Sequence, residues 1–89
     1  MVTEYVWGDI WSRDGLERKT RSLINIAVLS ALNRLNELEV NLRGALNHGV
    51  SVDEIQEVLL QVAVYVSAPA ALESFRIAET VLGENGAID

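Results

Sequence analysis

An all-α fold is what this 89-residue sequence predicts, and three observations carry that reading. Apolar residues recur at spacings of three and four, and no stretch alternates with period two for long enough to make a strand. The chain-breaking residues are sparse, six glycines and one proline, and most of them fall where helices should start or stop. Beside them stand residues of the kind that satisfy free N–H groups at a helix N-terminus.

The elements follow in order. Residues 5–11, with Trp7 and Trp11 four apart, predict a short first helix. Asp14-Gly15 marks a turn, and Asp14 with Glu17 reads as an N-cap and its third-position partner, opening a helix over 16–33. Asn36 with Glu39 reads as the next cap, Leu35 and Val40 as its hydrophobic staple, and Gly49 as the left-handed stop. Ser51-Val52-Asp53-Glu54 is a full capping box, stapled by Val50 and Ile55, and predicts a helix over 52–66. The chain pauses near Ser67-Ala68-Pro69 and restarts over 70–82, because a first helical turn has no use for proline's missing N–H. Residues 83–89 read as a frayed tail.

One domain, 1–89, is all this length accommodates. A hydrophobic fraction of 49% with 22% charged residues places it among globular chains and away from disordered ones. The absence of cysteine excludes a disulfide framework, a thiol nucleophile and Cys-ligated metal centres. With a single His as well, no metal site is expected. Thirteen acids against seven bases give net charge −6, the wrong sign for a nucleic-acid binder. Apolar runs such as Val62-Ala63-Val64-Tyr65-Val66 fall far short of the roughly 20 residues that span a bilayer. The N-terminus lacks a basic, then apolar leader pattern, so a soluble, cytoplasmic protein with no membrane partner is expected. Residues 23–32 are interrupted only by Asn25 and Ser30, so nearly the whole circumference of that helix seeks burial. Residues 58–66 are similar. A chain of this size buries only about 60–65% of its unfolded surface, so the expected solution is a homo-oligomer.

Two polar features interrupt these apolar helices. Glu54, Glu57, Gln61 and Tyr65 line one helix face between Val58, Leu60, Val62 and Val64, and could line a pocket or form a solvated stripe. Arg13, Arg18, Lys19 and Arg21 concentrate four of the seven bases at a helix start, where cations are intrinsically unfavourable. Carboxylate binding and pairing with acids of another subunit are equal readings of that cluster. His48, beside Gly49, reads as an imidazole near the C-terminal carbonyls of its helix. Arg43 and Arg76 read as ion-pair partners, and Trp7 and Trp11 as core anchors or pocket walls.

The blocks Tyr5-Val6-Trp7-Gly8-Asp9-Ile10-Trp11-Ser12-Arg13, Arg18-Lys19-Thr20-Arg21-Ser22-Leu23-Ile24, Glu57-Val58-Leu59-Leu60-Gln61 and Tyr65 followed by Pro69-Ala70-Ala71 resemble the carboxymuconolactone decarboxylase family over roughly residues 5–82. The resemblance implies an AhpD-like helical bundle with a long antiparallel helix pair, forming an obligate-type trimer or hexamer. It also implies a chain that is N-terminally short relative to the family. The implied activity is a lyase that releases CO₂ from a carboxylated γ-lactone in aromatic-compound (protocatechuate/β-ketoadipate) catabolism, without a cofactor. Such a site must hold a carboxylate, stabilise a developing oxyanion and supply a proton to carbon. Arg13 and Arg21 suit the first task; Gln61, Asn41 or Tyr65 suit the second; Glu57, or else Tyr65, suits the third if burial raises its pKa. Trp7 is a further candidate for contact with substrate.

The sequence departs from the pattern of the wider superfamily at telling places. The two cysteines of its redox motif fall on Arg34 and Glu37, which excludes a Cys-dependent peroxidase. The usual His falls on Asn41, which cannot replace a general acid or base. The Tyr-Cys-Gly-x-Pro stretch reads Tyr65-Val66-Ser67-Ala68-Pro69, and a position near Arg76 often carries His. Two alternatives therefore stand beside the decarboxylase: a member that binds or converts another small carboxylate, and a non-catalytic oligomeric protein.

Overall fold

The computed structural model describes residues 9–84 and 86. Residues 9–11 are helical, and four helices follow: α1 (Arg18–Ala31), α2 (Leu35–Asn47), α3 (Val52–Tyr65) and α4 (Ala68–Glu84). No strand occurs among the described residues, so the all-α reading holds. The start of the expected first helix, including Trp7, lies outside the described residues, as does most of the expected frayed tail.

Where the sequence carries complete stop and start signals, the helix ends fall as expected. At the end of α2, Gly49 takes φ +86°, a conformation glycine adopts without steric cost. Its N–H donates to the Leu46 carbonyl at 3.2 Å, and the Val50 N–H donates to the Ala45 carbonyl at 3.0 Å. Together these bonds form a Schellman motif that satisfies carbonyls the helix itself leaves open. One residue later the capping box of α3 closes in both directions. The Glu54 N–H donates to Ser51 Oγ at 3.1 Å, and the Ser51 N–H donates to Glu54 Oε1 at 2.9 Å.

Two expected caps fail. Helix α1 begins at Arg18 behind Glu17, with no side-chain cap bond; Asp14 remains in an exposed turn, too far upstream to reach the open N–H groups. Helix α2 begins behind Arg34, so Asn36 already lies within its first turn. Asn33 causes that earlier start. It turns the chain at φ +58°, a left-handed conformation that Asn tolerates better than most residues. Val40 is 69% exposed, so the Leu35–Val40 staple does not form either. Helix α4 starts two residues before the expected restart, because Ser67 Oγ accepts the Ala70 N–H at 3.2 Å and leaves Pro69 inside the first turn.

The core is built where the four helices meet. Ile26 of α1, Leu38 and Leu42 of α2, Ile55 and Leu59 of α3, and Ala78, Val81 and Leu82 of α4 are buried together. Helix α1 packs on α2 and α3, α4 packs on the same two, and α1 and α4 also touch. A separate apolar set faces outward. It includes Ile24 and Val28 of α1 with Leu32 just after it, and Leu60, Val64 (79% exposed) and Tyr65 (78% exposed) of α3.

The capping box yields a measurable expectation. Ser51→Ala should lower unfolding stability by about 1 kcal/mol, read as a shift of the urea midpoint at constant slope. The Glu54 carboxyl is held below its ordinary pKa, first by the Ser51 backbone N–H and then by Lys19. A depressed carboxylate contributes stability above its unfolded pKa and loses that contribution as pH falls through the lowered folded value. Acid titration of stability should therefore be shallower in Glu54→Gln than in the natural chain.

Candidate functional site

Helices α1 and α2 border a groove of about 790 Å3, with Trp11 contributing to its lining. Its polar side chains come from helix positions that the sequence spaces along one face. Ser22 and Asn25 stand three apart on α1, while Asn41 and His48 stand two turns apart on α2. Cross-links join them pairwise. Ser22 Oγ lies 3.0 Å from His48 Nδ1, and Asn25 Nδ2 donates to Asn41 Oδ1 at 3.4 Å. The Asn41 amide also donates to the Glu37 carbonyl at 2.9 Å, which fixes its orientation on α2. Trp11 lies against the imidazole, with ring centroids 5.7 Å apart and planes tilted by 48°. Val28, Leu29 and Val40 supply apolar walls.

At the far end of the groove Arg34 pairs with Glu37, its Nε donating to Glu37 Oε2 at 2.9 Å. That hydrogen bond holds the Glu37 carboxyl below its ordinary pKa. The two positions that the superfamily's redox motif would fill with cysteines thus form an ion pair.

Arg21 lies behind Trp11, in a smaller depression of about 100 Å3 shared with Ile10, Ile24 and Asn25. Its Nε is buried and has no hydrogen-bond partner among the described residues. A buried donor left in that state costs about 1–3 kcal/mol, so an anionic acceptor here would be stabilising. Arg13 occupies a third depression, exposed, with Asp14, Glu17 and Arg18. Trp11 borders all three spaces, so the structure gathers Arg21, Asn41 and Arg13 around one indole.

The outer-face residues of α3 are placed differently. Glu57, Gln61 and Tyr65 are exposed, and no residue of α3 lines the groove. The expected burial of Gln61 and Tyr65, and the desolvation of Glu57 that depended on it, do not occur within one chain. The reason is geometric: Ile55, Leu59 and Val62 point α3 into the core, which turns the polar stripe outward. Glu54 keeps its capping role and adds an ion pair with Lys19 at 3.0 Å, so part of the basic cluster is satisfied within the chain. Arg43 pairs with Glu39 and Glu84, and Arg76 with Glu73, as their isolation in the sequence suggested.

Sequence reasoning passed over Ser22 and Asn25 and assigned His48 to its own helix end. The imidazole instead crosses to α1. The available signal was Asn25, a polar interruption of the apolar run 23–32, with Ser22 one turn before it at the edge of that run. No group of residues able to hold a metal ion is found among the described residues. A second crevice of about 200 Å3, between α3 and α4, is walled by Val52, Ile55, Leu59, Phe75 and Leu82 and offers little chemistry.

Comparison with known proteins adds the following. The model of the carboxymuconolactone decarboxylase family matches residues 1–80. The chain is 44% identical over 85 residues to 4-carboxymuconolactone decarboxylase of Acinetobacter baylyi, covering 96% of this chain and 63% of that protein. It is 36% identical over 84 residues to nitrosuccinic acid decarboxylase of Metarhizium robertsii, covering 94% and 59% respectively. The chain thus spans about three-fifths of the length of these curated relatives.

Proposed function

From the premise that the chain belongs to the carboxymuconolactone decarboxylase family, we propose that it is a carboxy-lyase acting on a small carboxylate-bearing substrate. The observation that carries this reading is the pair of spaces bordered by Trp11 and Asn25: a groove between α1 and α2 with apolar walls beside paired amides, and a smaller depression where Arg21 holds a buried donor in need of an acceptor. Two similar proteins are named for removing a carboxyl group from a small acid. The finer proposal is a carboxylated γ-lactone of aromatic-compound catabolism, handled in the cytoplasm. No helix among the described residues is long and apolar enough to cross a membrane.

Roles follow from the chemistry of the step. Loss of CO₂ leaves an electron pair that must spread toward an electron-withdrawing group such as the lactone carbonyl, and a carbon of that conjugated system then takes a proton. Arg21 holds a carboxylate that stays on the substrate, with Arg13 approaching from the exposed side of Trp11. An apolar environment favours the departing carboxylate becoming neutral CO₂, which needs no hydration. The Asn41 amide offers hydrogen bonds to the developing oxyanion. No cofactor is assigned to this step.

Glu57, Gln61 and Tyr65 enter this scheme only from a neighbouring copy, and we propose a homo-oligomer, trimer or hexamer, on that ground and on the outward apolar set. Leu60, Val64, Tyr65 and Val66 leave a run of exposed apolar side chains at the end of α3, the kind of surface a second copy would cover. Two hydrogen bonds support taking α1 and α2 as the antiparallel pair within each copy: Ser22 meets His48 while the later Asn25 meets the earlier Asn41. Across the interface Glu57 either carries a proton or orients an arginine.

The reading is tested by incubating the purified chain with 4-carboxymuconolactone and, separately, with nitrosuccinate, and measuring CO₂ release. Turnover of either is the expected result. Absence of turnover on both, from a folded chain, leaves the decarboxylase reading without support. Sedimentation should give a trimer or hexamer at micromolar concentration; a stable 9.8 kDa monomer would remove Glu57, Gln61 and Tyr65 from the site.

A further inference from the structure

We propose that His48, held by Ser22 and lying against Trp11, is the proton-carrying catalytic residue of the groove, delivering its Nε2 proton to a carbon of the conjugated enolate that the loss of CO₂ leaves. The inference deepens the decarboxylase reading and rests on it for the reaction, though not for the placement of the imidazole.

Elimination among the groove's own residues leads there first. Its titratable side chains are Arg34, Glu37 and His48. A guanidinium does not release its proton in a protein. Glu37 is paired with Arg34 and pushed toward the ionised form, so it holds no proton to give at neutral pH. Imidazole is the side chain whose charge ordinarily changes between about pH 5 and 8, and His48 is the one histidine of the sequence. Lys19 and Glu54 are engaged with each other on the α3 side, and no charged residue of α3 or α4 lines the groove. Arg13, Asp14, Glu17 and Arg18 lie on the other side of Trp11, with Arg21 behind it.

Geometry then assigns the two ring nitrogens. Nδ1 is engaged by Ser22 Oγ at 3.0 Å, while Nε2 has no hydrogen-bond partner among the described residues. In the imidazolium, Nδ1–H donates to the serine oxygen and Nε2–H is the transferable proton. After transfer the neutral ring keeps Nδ1–H and the same hydrogen bond, so the ring holds its orientation through the cycle. A buried Ser22 hydroxyl and the tilted Trp11 ring restrict rotation further. The step balances. The C–CO₂⁻ bond breaks, CO₂ leaves, the electron pair spreads through the conjugated system toward the lactone carbonyl, and the Nε2 proton joins a carbon of that system as the carbonyl re-forms, leaving an enol-lactone. Water then reprotonates the imidazole. Ser22 is a positioning residue in this scheme.

The lone histidine makes the test clean, because its ring signals in an NMR spectrum belong to one residue. With 4-carboxymuconolactone, His48→Gln should lower kcat by about 10²–10⁴-fold, the loss typical of a missing general acid, with little change in KM. The natural chain should lose kcat/KM on the alkaline side as the imidazolium deprotonates, and His48→Gln should lack that limb. Ser22→Ala should keep the limb at a displaced midpoint. Equal kcat and an unchanged pH profile in a folded His48→Gln would overturn the proposal. If the natural chain releases no CO₂ from either substrate, the decarboxylase reading falls and succinate becomes the probe. A rise in the imidazole titration midpoint on adding succinate would still place His48 at a bound carboxylate. No movement of the ring signals at millimolar succinate would overturn that placement too.

Discussion

Leu42→Ala is expected to lower unfolding stability by about 3 kcal/mol, within the roughly 2–5 kcal/mol range of large-to-small core substitutions. Leu42 has no exposed surface and belongs to the cluster in which Leu38 and Leu42 of α2 meet α1 and α4. That cluster draws on all four helices, so no single helix can shift to fill the space that the lost methyl groups leave. Globular domains are stable by only about 5–15 kcal/mol, so this change removes a large fraction of the total. Val40→Ala, two residues away on the same helix, supplies the contrast. Val40 is largely exposed, and its replacement should move the urea midpoint by less than about 0.5 kcal/mol equivalent in the dissociated chain. Equal losses for the two variants would mean that α2 does not face the core as described.

Much of this architecture was legible because helix signals are local. The capping box at Ser51 and Glu54 and the glycine stop at Gly49 each specify a boundary through residues adjacent in sequence, and each forms as read. Asp14 and Asn36 carried the same kind of residue and failed. A cap residue works only if the chain enters the helix at that point, and Asn33 bends it into α2 earlier. The pause at Ser67 shows the complementary case, since the serine that caps α4 was visible but was read only as part of a break.

The site was less legible, because it is made between elements. Spacing placed Glu57, Gln61 and Tyr65 on one face of α3 correctly, but spacing cannot say which face looks inward. Val58, Leu60 and Val64 made the stripe look enclosed, whereas Ile55, Leu59 and Val62 are the residues that enter the core. The contacts that define the groove join positions 26 and 16 residues apart, Ser22 with His48 and Asn25 with Asn41. Nothing in either local segment announces such a pair. Arg21 was found from composition, as one of four bases crowded at a helix start, and its environment separates it from the others. Lys19 has an intrachain carboxylate, while the Arg21 Nε has no partner among the described residues.

That difference sets the expected behaviour of Arg21→Lys. The substitution keeps the charge and removes the planar fork that grips a carboxylate at two points. It also removes Nε, the buried donor that a bound anion would satisfy. A hydrogen bond to a charged group contributes about 1.5–3 kcal/mol, so affinity for the substrate should fall by roughly 10- to 150-fold. The loss should appear in KM, with kcat less affected, because a carboxylate that stays on the substrate is held similarly before and during the reaction. Arg13→Lys should do less. Arg13 is exposed, and exposed ion pairs contribute about 0–1 kcal/mol, so a change within about fivefold is expected. Urea unfolding of both variants separates binding from packing, since a structural Arg21 would lower the midpoint and leave KM of the folded fraction intact. If Arg21→Lys binds substrate as tightly as the natural chain while its oligomer is unchanged, the guanidinium does not hold the carboxylate. The basic cluster then serves pairing between subunits, which was the other reading of four cations at a helix start.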